Sequence, residues 1–109
     1  LRISKNEFKL LGRGISYHSQ PVFLTVYKKS DQTPNQFSFI CSKKVAKSAV
    51  KRNLLRRRGY DIVQKLLTDI KPGFYFVFNF KKGAEILTYS GIKDEIHFLL
   101  QKAGIISTV

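Results

Sequence analysis

At 109 residues, 43% hydrophobic and 13% aromatic, the chain is long enough for one domain with a modest core and too apolar for a disordered basic tail. Twenty Lys and Arg against seven Asp and Glu leave a net charge of +13, a self-repulsion that a polyanionic partner relieves. Nucleic acid is the first candidate, because each neutralised phosphate releases a counterion; an anionic membrane surface is the second, but no apolar run approaches the ~20 residues of a membrane span.

Asn6 to Arg13 reads as a short helix, capped by Asn6 and striped by Phe8 and Leu11. Ile15 to Gln20 reads as a connector. In the strand Pro21 to Lys28, Val22, Leu24 and Val26 point one way and Phe23, Thr25 and Tyr27 the other, so one side is covered and the other presents aromatics. The polar stretch from 30 to 36 reads as a hairpin loop leading to a second strand, Phe37 to Ser42. A long helix is expected from about Val45 to Leu67, capped by Ser42 or a neighbour, with Gly59 bending or splitting it. Phe74, Phe76, Phe78 and Phe80 repeat at period two and mark the centre of the sheet. After a Lys81-Lys82-Gly83 turn, Thr88 or Ser90 caps a last helix reaching about Lys102. Ile92, Ile96, Leu99 and Leu100 form its buried stripe, with Phe98 at the margin. The expected architecture is an α/β sandwich in the order α-β-β-α-β-α, with three or four strands and helices packed on them.

The long helix and its approach carry the charge. Eight of the sixteen residues from Lys43 to Arg58 are Lys or Arg and none is acidic. Lys47 and Lys51 are expected to stack one turn apart with Arg58 near their line, and Arg52 and Arg56 to form a second row. A merely solvated helix ordinarily mixes Glu among its cations, and that mixing is absent. Arg predominates after position 51 and suits bidentate phosphate contacts. Asn53 is placed to donate to phosphate or a base edge, or to accept from backbone. Lys43 and Lys44 lie just before the helix, where free N–H groups add to their field. Phe23, Thr25 and Tyr27, opposite the apolar stripe, are the candidates for stacking on bases.

Catalysis by the protein alone is not expected. The seven carboxylates are scattered, with only Asp94 and Glu95 adjacent, and adjacent helix positions point apart. The single cysteine, Cys41, rules out an internal disulfide. With His18 and His97 as the remaining soft ligands, a zinc knuckle is also excluded. The cysteine usage reads as a reducing, cytoplasmic compartment. No basic-then-apolar leader is evident, and the absence of Met reads as a processed or trimmed start.

FSFICSKKVAKSAVKRNLLRRR, residues 37 to 58, resembles the signature of the bacterial ribonuclease P protein subunit, a strand ending in S-K-K and then a basic helix carrying A-V-x-R-N-R. NEFKLLGRGISYHSQPVFLTVY before it is similar to that family's first helix, glycine turn and first strand. KPGFYFVFNFKKGAEILTYSGIKDEIHFLLQKAGII after it is similar to the last strand, turn and C-terminal helix. The resemblance implies a left-handed β-α-β crossover and a protein, expected to be monomeric, that assists a catalytic RNA in cutting the 5′ leader from precursor tRNA. It implies Mg²⁺ in the holoenzyme, held mainly by RNA, and no metal site or catalytic residue in the protein. The RNA-binding set is then Lys43, Lys44, Lys47, Lys51, Arg52, Asn53, Arg56, Arg57 and Arg58. The leader cleft is lined by Phe8, Leu11, Phe23, Thr25 and Ile40. The chain departs from the family pattern at Leu54, where a second Arg is expected, and at Gly59 and Tyr60, with Arg58 the candidate to replace the lost charge. Leu11 stands where a second Phe is common, and Thr25 replaces a frequent Tyr. The alternatives are a non-catalytic single-stranded or ribosome-associated RNA-binding domain, and a basic domain docking on membrane or an acidic protein.

Overall fold

A computed structural model describes residues 1–30 and 32–106. Its elements are α1 (Lys5–Leu10), β1 (Ile15–His18), β2 (Val22–Lys28), β3 (Gln36–Ile40), α2 (Ala49–Lys65), β4 (Phe74–Phe80) and α3 (Tyr89–Lys102), with short 3₁₀ turns at Leu67–Asp69 and Ala84–Ile86. The four strands form one sheet in the order β1-β2-β4-β3.

The sheet has four strands, within the three or four expected, but the order is α-β-β-β-α-β-α, with a strand before Val22 that the expected order lacked. Ile15 to His18, read as a connector, pairs antiparallel with β2 from Ile15 opposite Val26 to His18 opposite Phe23. The hairpin expected across residues 30–36 does not form. β4 inserts between β2 and β3, antiparallel to the first and parallel to the second, and the tight hairpin is β1–β2. Loop composition shows where the chain turns; the pairing partner is set by which strand offers a matching apolar face. β3, α2 and β4 make up the parallel β-α-β unit of the expected crossover.

α2 and α3 pack on one face of the sheet. Val22 and Leu24 from β2, Phe37 and Phe39 from β3, and Phe76, Phe78 and Phe80 from β4 are buried there with Cys41. α2 contributes Leu55, Gly59, Ile62 and Val63, and α3 contributes Ile92, Ile96, Leu99 and Leu100. Phenylalanines stack between neighbouring strands, Phe37 on Phe76 at 5.1 Å and Phe39 on Phe78 at 4.7 Å. Gly59 does not break α2. A Cβ there would lie 2.4 Å from the Phe39 ring, so the glycine lets the helix approach the sheet.

The caps of two helices differ from expectation. Ser4, not Asn6, caps α1: its hydroxyl accepts from the Glu7 amide while Glu7 Oε1 accepts from the Ser4 amide. The S-x-x-E spacing of a capping box was present in the sequence. α2 begins at Ala49, capped by Ser48, rather than near Val45. Val45 and Ala46 are buried in the turn before it, so burial pulls this segment out of helical register. Thr88 caps α3, as expected.

Candidate nucleic-acid interface

The basic segment folds into an approach and a helix. Lys43, Lys44 and Lys47 precede α2 and are exposed, so Lys47 does not stack on Lys51 within a helix. Within α2 the cations divide between two flanks. Arg52 Nη1 donates to the carbonyls of Ala46 (3.0 Å) and Lys47 (2.7 Å). Arg56 donates to Cys41 O at 3.4 Å and to Asn53 Oδ1. These two arginines tie the helix to the loop that leaves β3. Arg58 turns to the opposite flank and donates to Leu87 O at 3.4 Å, so it extends a different surface from the Arg52–Arg56 row. Arg57 and Asn53 are exposed, and Leu54 is half-buried.

No ion pair ties Lys51, Arg52, Arg56 or Arg57 to a carboxylate among the described residues. The ion pair of α2, Asp61–Lys65 at 3.2 Å, lies at its far end. There a hydrogen bond from Tyr89 and the Lys65 ammonium hold the Asp61 carboxyl below its usual range. Glu85 comes near enough to Lys51 to feel its charge without pairing with it, and the basic face otherwise keeps a strong positive field.

The second surface is the sheet face away from α2 and α3. Strand register places His18, Phe23, Asn79 and Ile40 in one row across it, then Ser16, Thr25, Val77 and Ser38, then Tyr27, Tyr75 and Gln36. α1 is fastened over this face, since Gln36 donates to Glu7 Oε1 at 2.8 Å. That bond and the Ser4 donors lower the Glu7 pKa, the Ser4 amide contributing most. Gly14 fits closely beside Thr25 and Tyr27: a Cβ there would meet Thr25 Cγ2 at 2.6 Å. Val77, at the centre, is 6% exposed, whereas Phe8 and Ile40 are each 37% exposed. A cavity of about 790 Å³ lies at the α1 end, lined in part by Glu7, Leu10, Lys29, Gln36 and Tyr75.

Phe23, Thr25 and Ile40 therefore share one face, whereas Phe8 lies on α1 and Leu11 at its C-cap, the helix being tied to the sheet at Gln36. Three residues of that face were missed. His18 meets the Phe23 ring edge-on at 4.0 Å, Lys81 Nζ lies 4.9 Å over the same ring, and Asn79 sits between Phe23 and Ile40. His18 could be found only once β1 was recognised as a strand; Asn79 was legible as the polar alternate of FYFVFNF.

The two surfaces meet. β3 ends at Ile40, and the next carbonyl, Cys41 O, accepts from Arg56. The sheet face at Ile40 therefore borders the Arg52–Arg56 flank of α2.

A family model described as Ribonuclease P matches residues 3–104. The chain belongs to the ribonuclease P protein family. A ribonuclease P protein component from Synechococcus sp. (strain JA-2-3B'a(2-13)) is 43% identical over 75 residues, covering 67% of this chain and 55% of the relative. One from Rippkaea orientalis is 35% identical over 108 residues, covering 94% and 85%. The ribonuclease P protein of Staphylococcus aureus shares the fold at a TM-score of 0.84 and 16% identity, over 95% of this chain and 94% of the other. That of Thermotoga maritima does so at 0.81 and 18%, over 94% and 96%. The chain is thus the protein subunit of a ribonucleoprotein endoribonuclease of tRNA processing, and an RNA is its partner. Among the described residues no helix is long and apolar enough to cross a membrane.

Proposed function

We propose that α2 and its approach dock on the catalytic RNA subunit while the open sheet face holds the 5′ leader of precursor tRNA. Both would then be presented for Mg²⁺-dependent cleavage in the cytoplasm. The observation that carries this reading is the junction at the end of β3, where a face bearing Phe23, Thr25 and Ile40 runs into a flank bearing Arg52, Asn53 and Arg56. A single-stranded leader needs rings for its bases and cations for its phosphates; Phe23 with Lys81 above it offers both within 4.9 Å. A structured RNA needs a strongly cationic surface, which Lys43, Lys44, Lys47, Lys51 and Arg57 supply.

Mg²⁺ takes hard oxygen ligands in near-octahedral geometry. Because it keeps several waters and needs only one or two carboxylates beside phosphate oxygens, we place the ion mainly on the RNA, as the family resemblance implies. The protein's part is to neutralise phosphate repulsion and to align the substrate.

Reconstitution tests the reading. With a bacterial ribonuclease P RNA, preferably its own, the protein should strongly stimulate leader removal at low Mg²⁺. RNA binding without stimulation on the cognate RNA would leave a general RNA-binding domain as the better account.

A further inference from the structure

We infer that Arg2 and Tyr60 complete, with Asn53, Arg56 and Arg57, a pocket that takes one backbone phosphate of the RNA partner. The inference rests on the RNA-facing reading of α2 and extends it to a segment outside the helix. These five residues line a cavity of about 260 Å³ that includes three guanidinium groups and no carboxylate.

Arg2 is held in place by its backbone. Residues 1–3 lie along the free edge of β3, with Arg2 bridged in parallel to Phe37. The Phe37 amide donates to Leu1 O at 2.7 Å and the Ile3 amide to Phe37 O at 2.9 Å. Gln36 Nε2 donates to Arg2 O at 3.2 Å. The side chain then crosses to α2, where its guanidinium carbon lies 4.1 Å from the centre of the Tyr60 ring. Tyr60 is itself fixed, because its oxygen accepts from the Phe39 amide at 3.3 Å.

The chemistry follows from that stacking. A guanidinium held over a ring by cation–π attraction does not spend its N–H donors on that contact, and those donors suit a phosphate, which a guanidinium can grip with two parallel hydrogen bonds. Asn53 Oδ1 already accepts from Arg56, which leaves the amide nitrogen as its available donor. Three cations converging without a counter-charge repel one another in the free protein, and a phosphate removes that repulsion. Because Arg56 also reaches Cys41 O, the pocket borders the Arg52–Arg56 row and lies within the surface assigned to RNA.

The test measures the affinity of the full chain for a bacterial ribonuclease P RNA across a salt series. The variants are Arg2→Gln, Arg57→Gln, their double mutant, and Lys51→Gln on the other side of α2. Thermal unfolding of each variant accompanies the binding data, and Arg2→Lys keeps the charge while giving up the stacked planar donor. Arg2→Gln should weaken binding several-fold at an unchanged unfolding temperature, with Arg2→Lys in between. The double mutant should lower the log–log salt slope by about one unit in total, the signature of one shared phosphate. A slope loss of about two units would mean separate phosphates and no common pocket. Wild-type binding by Arg2→Gln alongside weakened binding by Lys51→Gln would overturn the pocket and leave the RNA-facing reading intact. Wild-type binding by all the variants would overturn both.

Discussion

The two faces of the sheet are built from the same strands and, on β4, from neighbouring residues. Phe76, Phe78 and Phe80 point to the helices and are buried; Tyr75 and Asn79 point the other way and are half-buried. On the helix side, rings meet rings and aliphatic side chains, and Gly59 lets α2 close to within contact of Phe39. On the other side, Phe23 keeps polar and charged company in His18, Asn79 and Lys81. Aromatic residues thus occur on both faces, and only the setting separates a core ring from a ring available to a base. Charge divides the molecule in the same way, since the cations of α2 lie outside the stripe of Leu55, Gly59, Ile62 and Val63 that packs it on the sheet.

Mutations should separate the faces. The largest expected effect is on the packed side, where Phe78→Ala should cost about 3–5 kcal/mol of stability, read by thermal or denaturant unfolding. A loss below ~1 kcal/mol would mean that this face is not the core. Next is Gly59→Ala, whose methyl group would press into the Phe39 ring. Overpacking of this kind costs about 1–3 kcal/mol, outweighing the ~1 kcal/mol that Ala gains over Gly in a helix. Unfolding at or above the wild-type temperature would show that the ring moves aside freely.

On the open side, Phe23→Ala should leave the unfolding temperature nearly unchanged and weaken binding of leader-bearing tRNA by about 1–3 kcal/mol, the worth of one base stack. A filter or fluorescence titration against substrates of different leader length reads this directly. The smallest effect concerns α1. The folded-state pKa of Glu7 is lowered, so its capping contribution is present above the unfolded carboxyl pKa and lost as pH falls through the lowered folded value. Glu7→Gln should therefore flatten the acid side of the stability profile slightly, and a profile identical to wild type would mean that the capping box contributes nothing measurable.

Much of this division was legible from alternation alone. The opposed faces of β2, the row of phenylalanines in β4 and the buried stripe of α3 follow from period-two and period-3.6 patterning, and the structure places them accordingly. The family signature located the basic helix. Three features escaped for physical reasons. β1 is a four-residue strand with exposed Ile15 and His18, too short and too polar for its pattern to stand out. The insertion of β4 between β2 and β3 is a long-range choice that no loop composition encodes. The starting point of α2 was displaced because Val45 and Ala46, which suit a helix, are drawn into the core by a turn. Within the basic surface, the sequence could not foretell that Arg52 and Arg56 bind backbone carbonyls or that Arg58 faces Leu87.

The central claim is that one face recognises the leader while another holds the catalytic RNA. The most direct measurement compares the reconstituted holoenzyme's affinity for precursor tRNA and for mature tRNA, with wild-type protein and with Phe23→Ala. The account predicts that the wild type favours the leader-bearing substrate and that Phe23→Ala loses most of this preference while binding mature tRNA as before. Equal losses on both substrates would contradict it and return Phe23 to a purely structural role.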